Sequence, residues 1–163
     1  MLKKNNFIIQ VLERRRFVTE SFAIRDALKH ITNFSTGWVD NGTIKYYTGY
    51  NCPNQCKVIF AFDSGLNKVR CGIGEDTGQY VTVCYVDYTY TFMYNNPSQT
   101  MHNTPISLTS SDVLSVELDN ATATWFKNDN QVDTASIPTN YTRNIRFVLA
   151  NNFTPRYVTV MPL

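Results

Sequence analysis

Two carboxylates lie two residues apart at Glu117-Leu118-Asp119, inside a run of alternating apolar and polar residues. On a strand that spacing puts both on one face. Retaining glycoside hydrolysis, the chemistry such a pair could serve, needs two carboxyls flanking the scissile bond. Residues 121–123 are Ala, Thr and Ala, so no further acid follows. The plainer reading makes Asp119 a turn residue and leaves Glu117 solvated. His30 and His102 are the only histidines, and neither has a Ser or Cys beside it in a hydrolase setting. Glu75-Asp76, near Gly74 and Gly78, could touch calcium, but an acidic pair in a turn is more simply solvated. No phosphate-binding loop or dinucleotide glycine fingerprint is present. The expectation is therefore no catalytic residue, no metal and no cofactor.

The four cysteines are Cys52, Cys56, Cys71 and Cys84. Cys52-Pro-Asn-Gln-Cys56 has a spacing that zinc could tolerate, yet no second Cys pair or close His pair follows. A Cys52–Cys56 disulfide would close a tight loop. Cys71 and Cys84 sit in strand-like alternation, where Cys acts as a small buried hydrophobe. Thiols are the favoured state, with the other two left open.

Aromatic residues carry the binding case. Trp38, Tyr46, Tyr47, Tyr50, Tyr80 and Tyr94 fall on strands or adjoining loops, and Asn95 and Asn96 follow Tyr94 directly. A flat ring stacks on the apolar face of a sugar while amides bond its hydroxyls. Against this, tyrosine is a common strand residue, so each ring also has a packing explanation.

The elements that would hold these residues are strands. The chain has 163 residues, 43% hydrophobic, 13% aromatic and only 17% charged, which fits one domain with a real core. A net charge of +2 makes no case for nucleic acid over the chain as a whole. From residue 43 onward, apolar runs and alternating stretches end in turn residues, about ten times. Val58–Phe62 is apolar throughout and reads as a strand covered on both faces, and Asn95–Pro105 reads as the longest loop. Few helices and many short strands argue an antiparallel β-sandwich or barrel. Trp125, Phe147 and Leu149 are expected in its core.

Residues 1–33 read as a basic N-terminal extension, and 34–163 as the sandwich domain. The first 30 residues hold seven Lys/Arg against three Asp/Glu. Ala23, Ile24, Ala27, Leu28 and Ile31 recur at helical spacing and predict a short amphipathic helix. Phe7, Ile9 and Val11 read as a strand. Arg14, Arg15 and Arg16 are a candidate partner contact, either as a solvated basic turn or as a tether to an acidic partner. Nucleic acid is expected, if anywhere, only through this segment. Because the apolar run stops at Leu12 and Glu13 follows, no secretory signal is read, and no stretch is long enough for a membrane span. Five sequons, at Asn33, Asn41, Asn120, Asn140 and Asn152, are attributed to Asn/Thr richness.

The clearest fingerprint spans residues 111–132. Ser111-Asp112-Val113-Leu114-Ser115-Val116-Glu117-Leu118-Asp119 runs into Thr124-Trp125-Phe126-Lys127-Asn128, then Asn130-Gln131-Val132. It resembles the hairpin of concanavalin A-like jelly rolls, especially SPRY-type and laminin G-like modules. Val69-Arg70-Cys71-Gly72-Ile73-Gly74 and Ile145–Asn151 are similar to two further strands of that fold. Ser111, Ser115 and Asp129 replace family glycines, and Asp129 is expected in a turn with positive φ. The resemblance implies an all-β antiparallel jelly roll with a short N-terminal strand or helix extension.

Together these readings favour a non-enzymatic, lectin-like recognition or structural module that binds a glycan or a neighbouring protein. The basic segment, the absent signal and the Asn/Thr-rich surface suggest a virion component, such as a capsid, decoration or fibre protein, in a homo-oligomer or larger assembly. The alternatives are a glycan-cleaving enzyme on the same fold and an intracellular SPRY-like protein-binding module.

Overall fold

The computed structural model describes residues 27–34, 39–40, 45–64, 70–74, 82–87, 90–93, 104–109, 111–137, 139, 142–147 and 154–163. These form strands β1 (Lys29–Ile31), β2 (Val39–Asp40), β3 (Lys45–Asn51), β4 (Gln55–Ser64), β5 (Arg70–Gly74), β6 (Thr82–Asp87) and β7 (Tyr90–Met93). The series continues with β8 (Thr104–Pro105), β9 (Leu114–Asp119), β10 (Thr122–Lys127), β11 (Asn130–Ser136), β12 (Asn144–Phe147) and β13 (Thr154–Pro162). No helix occurs among the described residues, and so none long and apolar enough to cross a membrane.

The strands form two antiparallel sheets. One has six strands in the order β1-β13-β4-β9-β10-β11, the other seven in the order β2-β3-β12-β5-β6-β7-β8. Alternation explains how they meet: Val58 and Phe60, Leu114 and Val116, Trp125, Val158 and Val160 turn inward from the first sheet. Cys71, Ile73 and Ile145 turn inward from the second, and all of these belong to one buried cluster. Trp125 is fully buried as expected, its ring centroid 6.1 Å from that of Phe60. Phe62 is buried too, but on the other face of β4 only Ala61 is, with Lys57 and Ile59 half-buried and Gln55 and Asp63 exposed. The strand is therefore not covered on both faces, contrary to the reading of its apolar run. The Phe147 side chain and Leu149 lie outside the described residues.

The fingerprint hairpin is held by its own polar residues. Asp112 accepts hydrogen bonds from Thr109 N (2.6 Å), Thr109 Oγ1 (2.9 Å) and the Asn128 amide, and pairs with Lys127 Nζ at 3.1 Å. Asn128 Oδ1 accepts in return from Val113 N at 2.8 Å. The two-residue turn after Lys127 has φ of 50° at Asn128 and 64° at Asp129. Positive φ at both centres matches the right-handed strand twist, and Asn and Asp tolerate it where glycine is absent.

Two other sequence expectations change. Ile31, read as part of a helix, lies in β1, where Lys29, His30 and Ile31 pair with Val160, Thr159 and Val158 of β13. Ile31 also joins the core, so apolar burial against β13 overrides the helical spacing. Ala23 and Ile24, the start of that predicted helix, lie outside the described residues, as do Phe7, Ile9 and Val11. Thr104 and Pro105, placed in the long loop, form the edge strand β8 against β7.

Candidate functional site

Strand β12 carries the unexpected polar residues. Ile145 points into the core, so alternation sends Asn144 and Arg146 to the opposite, outer face of the seven-stranded sheet. Both are nevertheless buried, at 2% and 3% exposure. Their β5 partners are Gly74 and Gly72. Neither glycine adds a side chain to that face, and both are buried alongside Asn144 and Arg146. On the other flank Arg146 is in register with Tyr46, and Asn144 with Asn51. Positions 39, 46, 146, 72, 85 and 92 thus form one line across the sheet.

Asn144 has an unusual electrostatic state. Its Nδ2 is buried and has no hydrogen-bond partner among the described residues. An amide donor held away from water without a partner costs about 1–3 kcal/mol. Asn51, directly opposite, is exposed, and its Oδ1 accepts from Arg143 N at 2.7 Å. A buried donor therefore lies beside an exposed amide at the end of the sheet.

The same end of the sandwich is tied down beneath Asn51. Cys52 N donates to Arg143 O at 3.0 Å, and Arg143 Nη2 reaches Asn120 O at 3.4 Å. Asn120 N donates to Asn54 O at 2.8 Å. Asn54 and Asn120 are exposed, while Arg143 is buried. The result is an amide-rich rim over a buried guanidinium.

The sequence candidates divide. Tyr46 takes a register position on the outer face beside Arg146. Tyr47 and Tyr50 are half-buried and pack against the core, so they brace the site from beneath. Lys29 Nζ sits 5.4 Å from the Tyr47 ring centroid, and burial, then the neighbouring Cys52 and Cys56, raise the Tyr50 hydroxyl above its usual pKa. Trp38, Tyr80, Tyr94, Asn95, Asn96, Arg14, Arg15 and Arg16 lie outside the described residues. Asn144, Arg146 and Arg143 were not candidates at all. The available signal was the pair of glycines inside β5, since glycine in a strand marks close approach of another group.

The residues considered for catalysis have structural partners. Glu117 pairs with Lys57 at 3.3 Å, and Asp119 accepts from Gln55 Nε2 and Asn120 Nδ2, each at 3.0 Å. His30 Nδ1 bonds Thr159 Oγ1 at 2.7 Å, and burial lowers its pKa. Among the described residues no three His, Cys, Asp or Glu side chains are grouped to hold a metal.

No protein-family model matches the sequence, and no curated protein matches it. Solved structures do. One, described with endo-acting O-glycanases that prominent members of the human gut microbiota express to initiate mucin breakdown, is 10% identical, with a TM-score of 0.50 over 79% of this chain and 81% of that one. The galectin LEC-6 of Caenorhabditis elegans is 10% identical, with a TM-score of 0.48 over 80% of this chain and 94% of its own. The CBM40 of Ruminococcus gnavus IT-sialidase, bound to alpha2,3 sialyllactose, is 10% identical, with a TM-score of 0.48 over 83% and 92%. With its strand order, the chain has the concanavalin A-like fold: an antiparallel jelly-roll β-sandwich.

Proposed function

We propose that the protein is a non-enzymatic, lectin-like module that binds a glycan on the outer face of the seven-stranded sheet, where β3, β12 and β5 meet. The observation that carries this is Asn144, whose buried Nδ2 lacks a partner among the described residues and lies beside Gly74 and an exposed Asn51. A sugar hydroxyl supplies the missing acceptor and offers a donor in return. Arg146 places a guanidinium group one row away on the same face. Likeness in fold to a structure from mucin O-glycanase work accords with a sugar ligand. The engagement of Glu117 and Asp119 in strand-to-strand contacts supports binding without turnover.

Assembly into a homo-oligomer or particle is the second half of the proposal. It rests on the basic density of Arg14, Arg15 and Arg16 within a chain that is otherwise net acidic. A glycan array carrying neutral, sialylated and mucin-type oligosaccharides tests the first half. Binding to a defined set of glycans supports it, and a blank array with binding to protein extracts only would replace it with the protein-recognition reading.

A further inference from the structure

Strand β11 ends the six-stranded sheet, and among the described residues nothing pairs with its outer side. Which of its backbone groups face that open edge follows from the ladder to β10. Ile137 N donates to Ala121 O at 2.8 Å, so that pair is a bonded one. Bonded and non-bonded pairs alternate along an antiparallel ladder. Ala123–Ala135 and Trp125–Asp133 are therefore the next bonded pairs, while Thr122–Ser136 and Thr124–Thr134 are not. The N–H and C=O of Thr134 and Ser136 point away from β10, and both residues are exposed. Such a row is a template on which another strand can add.

Two features of the same few residues obstruct that addition. Thr134 N donates to Asp133 Oδ1 at 2.9 Å, so this edge donor is already taken by a side chain of its own strand. Asp133 stands opposite Trp125, on the inner face of the sheet, and is itself buried. The register also skips Val132, since Phe126 is matched to Gln131 and Trp125 to Asp133. A bulge of this kind bends the strand and sharpens its twist, which spoils the line an added strand needs.

We propose that Asp133 closes the β11 edge to strand addition, and that the partner it excludes is β11 of a second copy of this chain. The self-complementary arrangement is an antiparallel pair about a two-fold axis through Thr134, the two Thr134 residues exchanging N–H···O=C bonds. It would match Asp133 with Ala135 of the other copy and set the two Asp133 carboxylates on the diagonal, where like charges repel. It would also take the Thr134 N–H from the carboxylate while shutting out water, which leaves a buried charge with one hydrogen bond fewer. Any assembly of the chain must then use another surface. None of this depends on what the seven-stranded sheet binds.

The test uses the whole chain, followed by light scattering and amide hydrogen exchange from dilute to concentrated solution. In the wild type, exchange at Thr134 and Ser136 should not change with concentration. In Asp133→Ala, the particle mass should double relative to the wild type, and both amides should exchange more slowly as concentration rises. Adding Thr134→Pro, which removes the N–H facing the edge, should return the mass to the wild-type value. A folded Asp133→Ala chain with wild-type mass at every concentration would overturn the proposal, as would a doubling that survives Thr134→Pro. Should Asp133→Ala not fold, the wild type decides with a peptide copying residues 130–136. Slower exchange at Thr134 and Ser136 on its addition shows an open edge and overturns the proposal, and unchanged exchange supports it.

Discussion

Asn51 and Asn144 face each other across the β3–β12 pair, one exposed and the other almost wholly buried, with the buried amide nitrogen lacking a partner among the described residues. The next β12 residue toward the sheet interior on that face is Arg146, also buried. A sheet built only for stability would place an apolar or fully bonded residue at position 144. On the proposed reading that amide is kept for a ligand, at some cost to the fold.

The core makes the simplest prediction. Trp125 is fully buried against Phe60, so Trp125→Ala should cost about 3–5 kcal/mol, as large aromatic deletions do. Urea unfolding measures it. An unchanged midpoint would mean that this hairpin does not pack in the sandwich.

Asp112 gives the pH dependence. Burial alone would raise its carboxyl, but hydrogen bonds from Thr109, Asn128 and Lys127 outweigh that and hold it at about 2. A carboxyl lowered on folding stabilises the protein fully above its unfolded pKa, and the contribution disappears as pH falls through the folded value. Stability should therefore decline between roughly pH 4 and pH 2. Asp112→Asn should be less stable at neutral pH and show a flatter decline over that window. Parallel acid curves for the two proteins would show that Asp112 does not carry the effect.

Catalysis by the β9 carboxylates is checked by assay. Glu117 and Lys57 form a partly exposed pair, so Glu117→Gln should change stability by less than ~1 kcal/mol. The wild-type protein should release no reducing sugar from β-glucans or galactans. Turnover that Glu117→Gln abolishes would make the protein an enzyme.

Much of the fold was legible because its signals are local. Val58–Phe62 and Leu114–Leu118 declare themselves by apolar pattern, and the fingerprint survives because Asp112, Lys127 and Asn128 bond one another within a single hairpin. β1 was illegible for the opposite reason. Its three residues are a strand only because β13, at the far end of the chain, offers them an edge. The site was hidden in the same way: Arg146 between Ile145 and Phe147 looks like ordinary outward alternation, and burial of that outer face is a tertiary fact. The aromatic signal named Tyr47 and Tyr50, which the sheet turns toward the core, since ring chemistry does not say which face a strand position occupies.

The N-terminal segment is tested by deletion. The described strands begin at Lys29, so removal of residues 1–20 should leave the β circular dichroism spectrum intact. If Arg14, Arg15 and Arg16 hold an assembly together, light scattering should show the oligomer reduced to monomers. Loss of the spectrum would make the segment part of the fold, and unchanged assembly would remove its proposed role.

The central claim meets its most direct test in Asn144→Leu, which removes the unpartnered amide while keeping its approximate volume. Calorimetric titration with the best oligosaccharide from the array, alongside thermal unfolding, gives both readouts. The account predicts at least a tenfold loss of affinity, with a melting temperature equal to or above that of the wild type, because a buried polar group without a partner has been replaced by an apolar one. Undiminished affinity in a folded Asn144→Leu variant would contradict it.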